Sequence, residues 1–230
     1  MEIFKYGKRE HIESLISDGI IRIGTLFDFK NEEVHGQEIG DQKEGKLRIQ
    51  GDIINNGPAS NLARYQILRG FVDGEGFVGR VVITDSDIVS PDLFIFSSAS
   101  GFSVDALKRW YRDPKAKYDA CCRISSARLF CKALSRAIEH KAKFEGMVEV
   151  TYYDNSTPVD VHSPVAQLHP AQIKGGVNYG HHREIRAAWK PFGTAAIEPE
   201  NLTVPDLVPY CSLEAVLTEE ERAQIDRGKS

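Results

Sequence analysis

The sequence lacks the features that mark several protein classes. Of its 230 residues only four are cysteine, Cys121, Cys122, Cys131 and Cys211, and none are spaced as a CxxC pair. Adjacent Cys121 and Cys122 point to opposite faces of any strand that carries them, so free buried thiols in a reducing compartment are expected. A disulfide framework or a zinc site is not. No apolar run approaches the roughly 20 residues of a spanning helix, and the start MEIFKYGKRE lacks the apolar centre of a signal peptide. The expectation is a cytoplasmic protein with no membrane partner. Positive charge is not in excess either: 29 Lys and Arg face 33 Asp and Glu, a net charge of −4, so any attraction for nucleic acid must be local. Internal repeats and low-complexity tracts are absent.

With 41% hydrophobic and 27% charged residues the composition is that of an ordinary globular protein. The length allows a substantial core, read as one elaborated domain over 1–230 with 205–230 as a C-terminal helical tail. Charge is unevenly spread. Segment 28–44 is acidic, while 108–143 is rich in Lys and Arg.

Strands and helices alternate along the chain. Ile3, Phe4 and Tyr6 start a short strand that Gly7 ends, Ile12, Leu15 and Ile16 are spaced as a helix stopped by Gly19, and Ile21 and Ile23 face one way on a second strand with Arg22 facing the other. LRIQGDII, ARYQILRGFV and FVGRVVIT read as strands, the last two joined by an Asp73–Gly76 hairpin. LFIFSSASG is an apolar strand of the buried kind that ends in Ser97, Ser98 and Ser100. Serines where a buried strand leaves the core either bind a polar ligand or cap the turn. Ser103 caps a helix ended by Asp113-Pro114, and YDACCRI is a strand. Ser125 or Ser126 caps a helix with the apolar stripe Leu129, Phe130, Ala133, Leu134, Ala137 and Ile138. MVEVTYY is a further strand, 158–176 is irregular, and Thr218 to Glu221 has the form of a capping box.

Chemistry concentrates in Asn178 to Lys190, NYGHHREIRAAWK. Arg183, Ile185, Ala187 and Trp189 alternate with Glu184, Arg186 and Ala188, so Glu184 and Arg186 share the face opposite the tryptophan. A carboxylate on a strand beside a guanidinium is a placed group, or else a loose pair on the wet face of an edge strand. His162, His169, His181 and His182 raise a metal site, although no HxH or HExxH pattern is present. In the glycine-bearing acidic loop, Asp41 and Glu44 are the candidate ligands, yet their spacing matches no calcium loop and a solvated face is the expected reading.

The order IFKYGKREHIESLISDGIIRIGTL resembles the opening of bacterial ADP-ribosyltransferase-like proteins. With Phe4-Lys5-Tyr6, the serine-ended LFIFSS strand, and Glu184-Ile185-Arg186 followed by Trp189, the chain is also similar to a bacterial family with a YKY-type first strand and a closing E-x-R strand. The resemblance spans most of residues 3–190. It implies an α+β fold, a split, mostly antiparallel β core with flanking helices, that grips NAD as substrate. Glu184 would stabilise the oxocarbenium-like charge that builds as the nicotinamide–ribose bond breaks. Lys5 would hold the adenosine-side ribose, Tyr6 would line the nicotinamide pocket and take part in catalysis, Arg22 would pair with the pyrophosphate, and Ser97 and Ser98 would contact the cofactor. Arg186 stands where arginine-modifying relatives place a second glutamate, which leaves RNA, DNA, another side chain or a small molecule as acceptor. The expected role is a toxin or anti-phage effector, with an antitoxin or chaperone as a candidate partner. Two other classes remain open: a metal-dependent nuclease or phosphodiesterase using His181, His182, Glu184 and Asp41, and a non-catalytic nucleotide- or protein-binding module.

Overall fold

A computed structural model describes residues 1–31, 42–55, 79–175 and 183–228. In chain order the elements are β1 (Ile3–Gly7), α1 (Arg9–Asp18), β2 (Ile20–Thr25), β3 (Lys46–Asn55), β4 (Gly79–Val89), β5 (Phe94–Ala99), α2 (Val104–Arg112), β6 (Ala120–Ile124) and α3 (Ala127–Ile138). They continue with β7 (Ala142–Glu149), β8 (Thr151–Tyr153), β9 (Val159–Asp160), β10 (Ile173–Gly175), β11 (Glu184–Pro191), β12 (Glu200–Thr203), β13 (Cys211–Val216) and α4 (Glu219–Asp226). The strands pair mostly antiparallel, with helices set against them, an α+β arrangement. No helix among the described residues is long and apolar enough to cross a membrane. The expected strand ARYQILRGFV and its hairpin, Asp41 with most of the acidic loop, and His181 and His182 lie outside the described residues.

Where the sequence reads as one domain, the chain forms two compact units. The first takes Met1–Gln42, Asp92–Val150 and Gly180–Ser230; the second takes Lys43–Pro91 and Thr151–Tyr179. The run MVEVTYY, expected as one strand, is divided between them at Val150. Its first half belongs to β7, which pairs with β11, and its second half is β8, which pairs in parallel with β10. The supposed helical tail also contains β13, whose alternating side chains pair against β6.

In the first unit eight strands form one sheet, and β5 is its pivot. Along one edge β5 pairs over its whole length with β11, from Phe94 opposite Trp189 to Ala99 opposite Glu184. A strand has only two hydrogen-bonding edges, so its other partners must share the remaining one. There β2 pairs at Phe94 and Ile95, and β1 pairs at Ala99. The stretch from Phe96 to Ser98 faces the gap where β1 and β2 part.

Both faces of this sheet are covered. On one, Ile3, Phe96, Cys122, Ile124, Ile185, Ala187 and Trp189 pack with Ile12 and Leu15 of α1 and Phe130 and Leu134 of α3. On the other, Tyr6, Ala99 and Cys121 pack with Leu107 and Trp110 of α2 and Ile225 of α4. Cys121 and Cys122 thus project to opposite faces, and all four cysteines are free thiols. Trp189 is fully buried and donates its indole N–H to Ser135 Oγ at 2.8 Å, so its body is in the core and its one polar group is satisfied.

The caps follow the local sequence. Gly19 ends α1 with φ 68°, and a Cβ there would stand 2.1 Å from the Val204 carbonyl oxygen, which makes glycine obligatory twice over. Ser103, Ser126 and Thr218 cap α2, α3 and α4 through their hydroxyls. Lys8 gives α1 no side-chain cap; Asp119, from just before β6, accepts from the Arg9 N–H at 2.7 Å instead.

The second unit has its own core of Leu47, Ile49, Ile53, Ile83, Val161, Ala166 and Ile173. It holds the antiparallel β3–β4 pair, with β9 added in parallel to β3, and the short β8–β10 pair.

Candidate active site

The parting of β1 from β2 opens a cleft of about 390 Å³. Lys5 and Tyr6 of β1, Ile21, Arg22 and Gly24 of β2, and Phe96 and Ser97 of β5 line it, with His11, Phe29, Tyr118 and Asn201 around them. The volume falls within the roughly 300–1,000 Å³ range of small-molecule sites. Lys5, Arg22 and His11 supply basic groups, and none of the described lining residues is Asp or Glu.

Lys5 crosses the gap between the strands. Its ammonium donates to the main-chain carbonyl of Ser97 at 2.8 Å and stands 5.0 Å from the centre of the Phe96 ring. Burial lowers its pKa to about 8, Glu184 pulls it back up, and Arg22 pushes it down. Arg22 is more exposed and donates to Asp28 at 2.8 Å. Beside it, Gly24 lets Phe29 close onto β2: a Cβ at Gly24 would lie 2.9 Å from Phe29 Cζ.

Ser97 alone among the β5 residues is not fully buried. Its main chain holds Lys5, and its hydroxyl donates to Glu184 Oε1 at 2.8 Å. Glu184 is itself 7% exposed and sits one strand away from the cleft. Arg186, two residues on and on the same face, donates from Nε to Glu184 Oε1 at 2.7 Å and from Nη2 to Oε2 at 3.3 Å. The edge-strand alternative for this pair is therefore overturned. β11 lies between β5 and β7, and the two side chains are 9% and 2% exposed.

The backbone also shapes this point. Arg183 has φ 44°, the left-handed region that a residue with a Cβ occupies at a cost of about 1–2 kcal/mol. Its carbonyl accepts from the Ser100 N–H at 2.9 Å, while the Glu184 carbonyl accepts from Val150 at 2.9 Å. The carboxylate thus begins β11 where the main chain is bonded on both sides.

Two expected ligand residues take other roles. Tyr6 borders the cleft, but its ring packs against Trp110 at 4.3 Å and Phe102 at 6.2 Å between centroids. Its hydroxyl accepts from the Ser103 N–H at 2.7 Å, and burial pushes the phenol pKa up. The hydroxyl donates in turn to the Ser103 carbonyl at 3.4 Å, so this tyrosine ties down the segment before α2. Ser98 is buried and donates to the Ile185 carbonyl at 3.3 Å, inside the sheet and away from the cleft. Tyr118, Phe29 and Asn201 line the cleft with no motif to mark them in the sequence; only the parting of the strands brings them together.

The candidate metal ligands do not converge among the described residues. His162 Nε2 contacts the Asp52 carbonyl oxygen at 2.9 Å, and His169 Nδ1 accepts from the Ala171 N–H at 3.2 Å as a helix cap. In the second unit Glu44 is buried, with Lys174 Nζ at 3.9 Å, and not on the solvated face expected of it. No protein-family profile, curated protein or solved structure matches the chain.

Proposed function

We propose that the chain is an NAD-consuming ADP-ribosyltransferase of the split-sheet kind, a toxin or anti-phage effector that modifies RNA or DNA. The observation that carries this reading is the cleft between β1 and β2, with Ser97 joining Lys5 on the cleft side to Glu184 behind it. Lys5 and Arg22 match the diphosphate of NAD in sign, and Phe29 and Tyr118 offer apolar faces to its rings. Cleavage breaks the bond between the ribose C1′ and the nicotinamide nitrogen, and the electron pair leaves with nicotinamide. Glu184, ion-paired with Arg186 and oriented by Ser97, would oppose the positive charge left on the ribose from behind the cleft wall. The acceptor's nucleophile then closes onto C1′ and loses its proton.

In this scheme Tyr6 supports the wall without doing chemistry, and Ser98 holds the sheet. A non-catalytic binding module of the same fold is the second reading, favoured by how deeply Glu184 is buried.

The deciding experiment measures nicotinamide release from NAD by the purified chain with no acceptor, with RNA and with DNA, beside Glu184→Gln. The expected result is release that depends on one nucleic acid and falls by at least about 100-fold in the variant, with its circular dichroism unchanged. No release under any condition from folded protein overturns the enzyme in favour of the binding module, and full activity in Glu184→Gln removes Glu184 from the chemistry.

A further inference from the structure

Lys5 combines three properties seldom found in one amine. It is a partly buried lysine, its nitrogen is held against the floor of a cleft by the Ser97 carbonyl, and Arg22 on the facing wall adds a second positive charge near it. Burial and the neighbouring guanidinium both favour the neutral amine, the form that is nucleophilic toward carbonyl carbon, while the Ser97 carbonyl fixes where that nitrogen stands.

We propose that Lys5 is a carbonyl-reactive amine that forms a Schiff base with phosphorylated aldehydes, Arg22 taking the phosphate. Open-chain sugar phosphates and pyridoxal phosphate share this chemistry, an aldehyde at one end and a phosphomonoester at the other. The neutral Nζ adds to the aldehyde carbon and forms the C–N bond. The resulting carbinolamine loses its oxygen as water, giving one imine and one water from one amine and one aldehyde, with no oxidant or reductant. Protonation of the imine restores the positive charge near the Phe96 ring, 5.0 Å from the present nitrogen. Arg22 keeps donors for the phosphate, since a guanidinium has five and its recorded bond to Asp28 uses one. The charged groups acting on this nitrogen are Glu184, which favours its protonated form, and Arg22, which opposes it. The inference uses the cleft assigned above to NAD but does not depend on that assignment.

The test treats the full chain with pyridoxal 5′-phosphate, reduces with borohydride and locates the label by peptide mass mapping. A pKa near 8 raises the neutral fraction of Lys5 at neutral pH by roughly two orders of magnitude over an ordinary lysine. Lower basicity returns about one of them, if amines follow the dependence seen for thiols. Lys5 should therefore be labelled on the order of tenfold faster than exposed Lys132 and Lys190. Pyridoxal without its phosphate, whose internal hemiacetal slows all lysines alike, should lower the Lys5 to Lys132 labelling ratio about fivefold, the equivalent of one exposed ion pair, and Arg22→Gln should erase that difference in ratio. Lys5→Arg, folded by circular dichroism, should lose the label at this position alone. Labelling of Lys5 no faster than Lys132, or the same Lys5 to Lys132 ratio with pyridoxal as with its phosphate, overturns the proposal. No NAD is present in the assay, so its outcome is separate from that of nicotinamide release.

Discussion

Replacing Arg186 with methionine should be among the most damaging single changes in the first unit. The guanidinium is 2% exposed and donates to both oxygens of a carboxylate that is 9% exposed. Methionine fills much of the same space but leaves the Glu184 carboxylate in the sheet interior without that positive partner. Removing one member of a buried pair costs about 3–5 kcal/mol, a large part of a total stability of about 5–15 kcal/mol. For a chain of this size the expected drop in Tm is about 6–20 °C. The penalty comes from the stranded charge and not from lost packing. Glu184→Gln/Arg186→Met should therefore recover most of it, because glutamine is neutral and can still accept from the Ser97 hydroxyl. Urea denaturation of wild type, both single variants and the double variant gives the coupling energy, expected to exceed about 2 kcal/mol. An Arg186→Met cost below about 1 kcal/mol, or a double variant as unstable as the sum of the singles, would refute the reasoning.

Lys5→Met should alter how stability depends on pH. Burial holds Lys5 near 8 in the folded chain against 10.5 for an unperturbed lysine, so the unfolded chain binds more protons between those values. Wild-type stability relative to the variant should thus be constant below about pH 8 and rise as pH increases toward about 10.5; parallel denaturation curves across that range would contradict it. Ser97→Ala should cost about 1.5–3 kcal/mol by removing a donor to a charged carboxylate, while Lys5 keeps its bond to the main-chain carbonyl, as chemical denaturation and the Lys5 labelling rate would together report. Gly19→Ala should cost about 2–5 kcal/mol, the sum of left-handed backbone strain and the clash with Val204; a loss under about 1 kcal/mol by thermal melting would show that this corner relaxes freely.

Local rules made the strands and caps of the first unit legible. Alternation along β11 put Ile185, Ala187 and Trp189 on the core face and Glu184 with Arg186 on the other, and the caps at Ser103 and Thr218 follow from hydroxyls placed just before apolar runs. What sequence spacing could not supply was the identity of distant partners. The partner that occupies the Tyr6 hydroxyl lies 97 residues away. Period two places Ser97 and Ser98 on opposite faces but does not say which one meets the cleft. The break at Val150 is invisible for a related reason: both sides have β-forming residues, and only the segments that pair with β7 and β8 divide them. Asp119 likewise caps α1 from 110 residues away, where no N-cap signal precedes the helix.

The position of β11 has a consequence for how the chain comes into being. It fills the slot between β5 and β7, yet it is made after both of them, and after the whole of the second unit. Until residues 184–191 leave the ribosome, β5 has a bare edge, β7 has no partner in the sheet, and the carboxylate proposed for the chemistry does not exist. Such long-range pairing is slow to form and exposes apolar strand edges while it is incomplete. A chain truncated anywhere before residue 184 would therefore lose sheet closure and proposed activity in the same step. If the protein is harmful to the cell that makes it, translation itself delays the harm until β11 is made.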